Sequence, residues 1–165
     1  MRNYRNLPHR GSHLPVLMKL LPMTSGPILE LGAGVYSTIY LHWACFPEKR
    51  RLVTYEDNPE FHRFARQFAN DYHEIRCIRN WDELDPTGPW DIAFVDHGQD
   101  RRRWMDIAKL THAQYVVAHD AENSDSHKYH YERIHPLFKY RWKYNKTLPY
   151  TAVFSNFHDV RNLEI

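Results

Sequence analysis

Apolar and polar positions along the chain switch repeatedly between a period of two and a helical period. "PILELG" (27–32) is an apolar run broken by a single glutamate and reads as a strand, and "TIYLHWACF" (38–46) resumes with helical spacing. "RLVTYE" has the β-branched and aromatic character of a second strand. "NPEFHRFARQFAND" follows as a helix, and its Phe61, Phe64 and Phe68 at i, i+3 and i+7 form a stripe expected in the core. "HEIRCIR" is a short third strand, "WDIAFVD" a fourth, "RRRWMDIAKLTH" the helix beyond it and "YVVAHD" a fifth strand. Upstream, Ser12 is placed to cap an opening helix in "HLPVLMKLL", where Pro15 falls in the tolerant first turn. Residues 125–138 predict another helix, ended early by Pro136. "YRWKYNK" and "YTAVFSNF", separated by Thr147, Leu148 and Pro149, predict an antiparallel hairpin.

Strands alternating with helices predict an α/β protein, with a parallel sheet covered on both faces. The length of 165 residues fits one domain with a sizeable core, preceded by an arm at 1–11. The 42% hydrophobic and 25% charged content is that of a globular protein. No charge-free apolar stretch approaches the roughly 18 to 20 residues of a membrane helix, and "MRNYRNLPHR" lacks a signal peptide's apolar region. The expectation is a cytoplasmic protein that does not engage a membrane. Cys45 and Cys77 have no CxxC partner, so both are expected reduced and in or near the core. Net charge is only +2, but basic residues cluster at Arg2/Arg5/Arg10, Lys49–Arg51, Arg101–Arg103 and Lys139/Arg141/Lys143/Lys146. Each cluster reads first as a solvated face.

The turn after the first strand holds Gly32 and Gly34, where an open α/β sheet binds its ligand. Glycine there permits positive φ and close approach to the backbone. A dinucleotide fingerprint requires a third glycine where Ser37 stands, which counts against an NAD-dependent oxidoreductase. Glu30, just inside the turn, would repel a pyrophosphate but suits a cationic ligand. Glu56 ends the second strand, where a carboxylate can accept both hydroxyls of a ribose. In "RNWDEL", Asn80 can hydrogen-bond an adenine edge, with Trp81 or Asp82 flanking it.

In their order and spacing, "ILELGAGVYST", "LVTYEDNPE", "RNWDEL" and "WDIAFVDHG" resemble the successive motifs of class I S-adenosylmethionine-dependent methyltransferases, nearest to O-methyltransferase types. The resemblance spans about 12–157. It implies a Rossmann-like three-layer sandwich whose mostly parallel seven-stranded sheet, in the order 3-2-1-4-5-7-6, ends in an antiparallel hairpin. It further implies S-adenosylmethionine as cofactor, with Glu30, Gly32 and Gly34 shaping the pocket for the methionine end and Ser37 on its carboxylate. Glu56 would hold the ribose, Asn80 and Trp81 would lie near adenine, and Asp96 would lie near the amino group.

Methyl transfer needs a positioned acceptor and excluded water, plus a base where the acceptor must lose a proton. The candidates end the fourth and fifth strands: Asp96 and His97, then His119 and Asp120. Catechol-type and sugar O-methyltransferases hold Mg2+ on carboxylates at such positions, here matched by Asp96, Asp120 and Asn123, although His119 stands where those families often carry an acidic residue. A metal-free route uses His97 or His119 as the base. The D/N/S-P-P-Y/F/W and Pro-Cys signatures of base methylation are absent. "FKYRWKYNK" interleaves cations with aromatics that can stack on single-stranded nucleic acid, but a half-exposed hairpin strand accounts for the same alternation. These features predict a methyltransferase for a small-molecule acceptor, most simply a hydroxyl. With no insertion to form a lid, a second copy in a homodimer is a plausible source of the missing wall. The competing reading is a non-catalytic domain of the same fold that binds S-adenosylmethionine or nucleic acid.

Overall fold

The computed structural model describes residues 8–122 and 126–165. Seven strands form one sheet in the order β3-β2-β1-β4-β5-β7-β6, the expected order. They are β1 (Ile28–Leu31), β2 (Leu52–Glu56), β3 (His73–Cys77), β4 (Ile92–Val95), β5 (Tyr115–His119), β6 (Tyr140–Tyr144) and β7 (Thr151–Ser155). The first five pair in parallel, whereas β7 runs antiparallel to both β5 and β6. The helices are α1 (Leu14–Leu20), α2 (Ser37–Cys45), α3 (Pro59–Ala65), α4 (Arg103–Ala108) and α5 (Ser126–Tyr129).

Because strand side chains alternate between faces, each central strand feeds two cores. Leu29, Leu31, Val53, Ala93, Val95 and Val116 belong to one, and Ile28, Leu52, Ile92, Phe94 and Val117 to the other. All are essentially fully buried, which is why these strands read as near-continuous apolar runs. The edge strand β6 instead exposes Arg141 and Lys143 in alternation with partly covered Tyr140 and Trp142 and buried Tyr144, the pattern of a strand wet on one face. Cys45 is buried, but Cys77 is exposed at the end of β3. Among the described residues no helix is long and apolar enough to cross a membrane.

Several local expectations fail for identifiable reasons. Helix α1 begins at Leu14 after His13 and has no side-chain cap, because the Ser12 hydroxyl is spent on Pro149 and His119. The phenylalanine stripe is only partly covered: α3 ends at Ala65, its one buried residue, and a 3-10 turn carries Phe68. The predicted helix at 125–138 is instead α5 and two 3-10 turns, interrupted by His130 in the left-handed region (φ 55). Two basic runs are solvated only in part, with Lys49, Arg51 and Arg101 exposed. Arg50 turns inward onto the carbonyls of Leu21 and Thr24, and Arg103 is 2% exposed.

One polar chain crosses the apolar interior. Glu30 shares the face of Ile28 and lies opposite Thr54 in the β1–β2 register, under the start of α2. It accepts from Thr54 Oγ1 at 2.7 Å and Thr38 Oγ1 at 3.0 Å, and Thr38 Oγ1 in turn accepts the Gly34 N–H. Since Thr54 gives its only hydroxyl proton to Glu30, the His73 Nε2 at 2.9 Å must be the donor to Thr54. His73 Nδ1 is then left to accept from His42 Nδ1 at 3.2 Å. Burial, with His42 alongside, lowers the His73 pKa to about 4, so the ring stays neutral.

Burial raises the Glu30 pKa from 4.5 to about 7 against its hydroxyl donors. Between those values the folded state holds a proton that the unfolded chain has lost, so stability falls as pH rises through this window. Glu30→Gln should remove about 3 kcal/mol of that decline. Urea unfolding at pH 5 and pH 7.5 checks it: the midpoint of the variant should move less between the two than that of the parent, and equal movement would refute the assignment.

Candidate active site

A cleft of about 820 Å³ opens at the carboxyl ends of β1, β2, β4 and β5, within the range of about 300–1,000 Å³ usual for small-molecule pockets. Its floor is the turn from Gly32 to Ser37. Gly32 has φ +97, and a Cβ there would lie 2.6 Å from the His97 backbone nitrogen, so only glycine lets β1 and β4 close together at this point. Gly34 is not in the left-handed region; its N–H is tied to Thr38, and a Cβ would meet Ser37 Oγ at 3.1 Å. The turn opens into α2, whose N-terminus carries no capping side chain.

Glu56 ends β2 with its carboxylate on the cleft. Its Oε2 accepts the Ala33 N–H and its Oε1 the Asn58 N–H, both at 2.6 Å, so one side chain fixes the turns after β1 and β2 relative to each other. Each oxygen keeps a second lone pair for a ligand hydroxyl. Burial raises its pKa to about 7 despite the two amide donors.

The opposite wall is an ion cluster. His119 leaves β5 with Nδ1 at 3.2 Å from Asp96 Oδ1 and 3.6 Å from Asp120 Oδ1. Its Nε2 lies 2.9 Å from Ser12 Oγ, which donates its one proton to the Pro149 carbonyl at 2.6 Å. Ser12 must therefore accept from Nε2–H, and a neutral ring would turn a bare Nδ1 toward a carboxylate. Burial disfavours the charged ring, but the Asp96 charge and hydrogen bond, aided by Asp120, outweigh it and raise the His119 pKa. Asp96 is correspondingly held down to about 2, with burial overcome by His119 and Arg103.

Arg103, the first residue of α4, binds this cluster together. Its Nη2 meets Asp96 at 3.1 Å and its Nη1 meets Asp120 at 3.0 Å, while Nε and Nη1 donate to the carbonyls of His97 and His119. The guanidinium also lies 4.0 Å from the Tyr129 ring centroid. Asp120 itself sits in the left-handed region (φ 54), which turns the chain at the end of β5. Sequence reading missed Arg103 because it lies inside a charge run. Its signal was that Arg103, Ile107 and Leu110 fall at i, i+4 and i+7, one apolar helix face.

The sequence-predicted residues separate by where they lie. Gly32, Gly34, Ser37, Glu56, Asp96, His97, His119 and Asp120 line the cleft. Glu30 lies beneath it, bonded to Thr38, Thr54 and Ser37 rather than facing a ligand. Asn80 and Trp81 do not line the cleft: Asn80 is exposed and accepts the Asp82 N–H, and Trp81 is buried behind His97, rings stacked at 4.0 Å. His97 has a fully buried ring with Nε2 3.2 Å from Asp106, and burial lowers its pKa against that carboxylate, so it is not placed to take a proton in the cleft. Of the oxygen ligands expected for Mg2+, Asp96 and Asp120 are bridged by Arg103, and Asn123 lies outside the described residues.

This is the fold of class I S-adenosylmethionine-dependent methyltransferases. No protein-family model and no curated protein matches the sequence. The chain superposes on the methyltransferase domain of METTL16 with TM-score 0.68 at 12% identity, covering 95% of this chain and 71% of that one. The O-methyltransferase TomG from Streptomyces achromogenes, solved in complex with S-adenosylmethionine, aligns with TM-score 0.60 at 23% identity over 88% of this chain and 79% of TomG. Human methyltransferase 10 domain containing protein aligns with TM-score 0.64 at 11% identity, over 92% and 84%.

Removing the guanidinium strands two carboxylates in a largely buried site. Arg103→Ala should cost about 3–5 kcal/mol of stability. Chemical denaturation at neutral pH reads this directly, and a loss below about 1 kcal/mol would mean that the cluster is solvated and Arg103 is not its clasp.

Proposed function

We propose that this protein is an S-adenosylmethionine-dependent methyltransferase acting on the hydroxyl group of a small molecule. The observation that carries the reading is that the Gly32–Ser37 turn and the Glu56 carboxylate share one cleft with the Asp96, His119 and Asp120 cluster. When bound, S-adenosylmethionine supplies an electrophilic methyl group on a sulfonium. Glu56, pinned by two amides, is placed to accept from the ribose hydroxyls, and Ser37 with the uncapped end of α2 to receive the methionine carboxylate.

On the opposite wall His119 has both ring nitrogens committed, so the base falls to Asp120 rather than to a histidine. The Asp120 carboxylate is about a quarter exposed and is steered by Arg103 and Tyr129. Asp120 would take the proton that the acceptor hydroxyl loses on methylation. Arg103 and His119 hold the two carboxylates in fixed positions, so rate enhancement comes from positioning more than from a strong base.

Calorimetric titration with S-adenosylmethionine, S-adenosylhomocysteine and NAD tests the cofactor assignment. The first two should bind and NAD should not; the reverse would overturn it. Glu56→Ala should weaken S-adenosylmethionine by about 10- to 100-fold, the value of one or two lost charge-assisted hydrogen bonds. Release of S-adenosylhomocysteine in a screen of hydroxyl acceptors separates an enzyme from a binding domain, since binding without release in any arm would support the non-catalytic reading.

A further inference from the structure

We propose that His13, Asp96 and His119 form a binding site for a nitrogen-preferring divalent cation of the Zn2+ or Co2+ kind. One donor atom from each of the three lies within 4.8 Å of the others, and all three residues line the cleft. The set shares only Asp96 with the magnesium ligands expected from sequence, and it differs in kind: two imidazoles and one carboxylate suit zinc and its neighbours, whereas Mg2+ prefers oxygen.

Three independent features of the geometry point to it. His13 is 2% exposed, yet neither of its ring nitrogens has a hydrogen-bond partner. A buried imidazole with no partner loses its hydration for nothing, and such groups are rare without a missing ligand. Its ring stands edge-on to His119 at 4.8 Å and against Phe94 at 4.7 Å, so the packing holds it beside the cluster.

The second feature is the tautomer of His119. Ser12, committed to the Pro149 carbonyl, fixes the proton on Nε2 and leaves Nδ1 as the atom 3.2 Å from Asp96 Oδ1. Two electron-rich atoms at that separation require a positive centre between or beside them, either a proton or a metal ion. Zinc-ligating histidines commonly have this arrangement, with the non-ligating N–H given to an outer oxygen that sets the ring's angle.

The third feature is that the carboxylate is supported too. Arg103 donates to Asp96 Oδ1 at 3.1 Å, as outer partners of ligating carboxylates do. A divalent ion replacing the ring proton raises the cluster's charge by one unit, and Asp120, 3.6 Å from Nδ1, lies close enough to offset it. Three protein ligands would leave a fourth position toward the cleft for water or an acceptor oxygen.

The site is independent of whether the chain transfers methyl groups, so its test reads metal alone. Chelator-treated protein is titrated with CoCl2 while the visible absorption of nitrogen-coordinated Co2+ is followed, and with ZnCl2 by calorimetry. One ion per chain should bind with each, and millimolar MgCl2 should not compete. His13→Phe keeps a ring against Phe94 and should weaken Zn2+ at least 100-fold, whereas His13→Cys, which restores a zinc ligand, should bind within about 10-fold of the parent. Should the phenylalanine variant fail to fold, long-range proton–nitrogen NMR on the parent protein reads the His13 and His119 ring nitrogens as Zn2+ is added, and both should shift. Absence of a stoichiometric Co2+ complex, binding unchanged in His13→Phe, or ring signals that stay in place would each overturn the proposal.

Discussion

The buried guanidinium of Arg103 is the interaction on which the cleft depends. Strands β4 and β5 end side by side, each delivering an aspartate to the same point, and two ionised carboxylates there would repel. Arg103 reaches across from α4, pairs with both, and also takes the carbonyls that follow each strand. Nearly every donor of the side chain is used, which is how a charge this deeply buried is tolerated. The positions of Asp96, Asp120 and His119 follow from that one side chain.

The other side of the cleft also rests on two carboxylates but holds them without a cation. Glu30 lies beneath the glycine turn and Glu56 beside it, and neither has a cationic partner. Hydroxyls and backbone amides do the work: Thr38 and Thr54 on Glu30, Ala33 and Asn58 on Glu56. Burial without a cation makes both acids hold their protons to about pH 7, against the opposing pull of those donors. The cleft thus has Glu56, held near neutrality by burial, on one side and the Arg103-bridged ion pairs, with Asp96 held down to about 2, on the other. Both sets of groups also tie the strand ends and their turns together, so this cleft is shaped in the absence of a ligand.

Burial also reassigns the chemistry. A histidine after β4 and another after β5 look interchangeable as bases on paper. In three dimensions His97 turns into the protein against Asp106 and Trp81, while His119 faces the cleft with both nitrogens engaged. Their neighbours, and not their place at strand ends, decide what each can do. His13 illustrates the converse: it reads as the start of an ordinary helix and becomes a cleft residue because its ring packs against Phe94 and against His119 at the end of β5.

What the sequence by itself determined is the frame. Central strands buried on both faces must be continuous apolar runs, and a turn that lets β1 and β4 touch must have glycine at Gly32, so the strands and the location of the cleft were legible, while their order came from the resemblance of the successive motifs to a methyltransferase family. Glu56 was legible too, because a carboxylate ending the second strand of this alternation lands beside the first turn. Tertiary structure alone decided which way the remaining side chains faced. Arg103 lies among three arginines and only the helix face sends it inward; Asn80 and Trp81 lie near the strand ends, but a 3-10 turn carries them away. Side-chain direction, tautomer and pairing depend on contacts between residues far apart in sequence, such as Ser12 with His119, 107 positions away, and with Pro149, 137 away. Local pattern carries no record of such contacts, because their energy exists only once the sheet has brought both ends of the chain together.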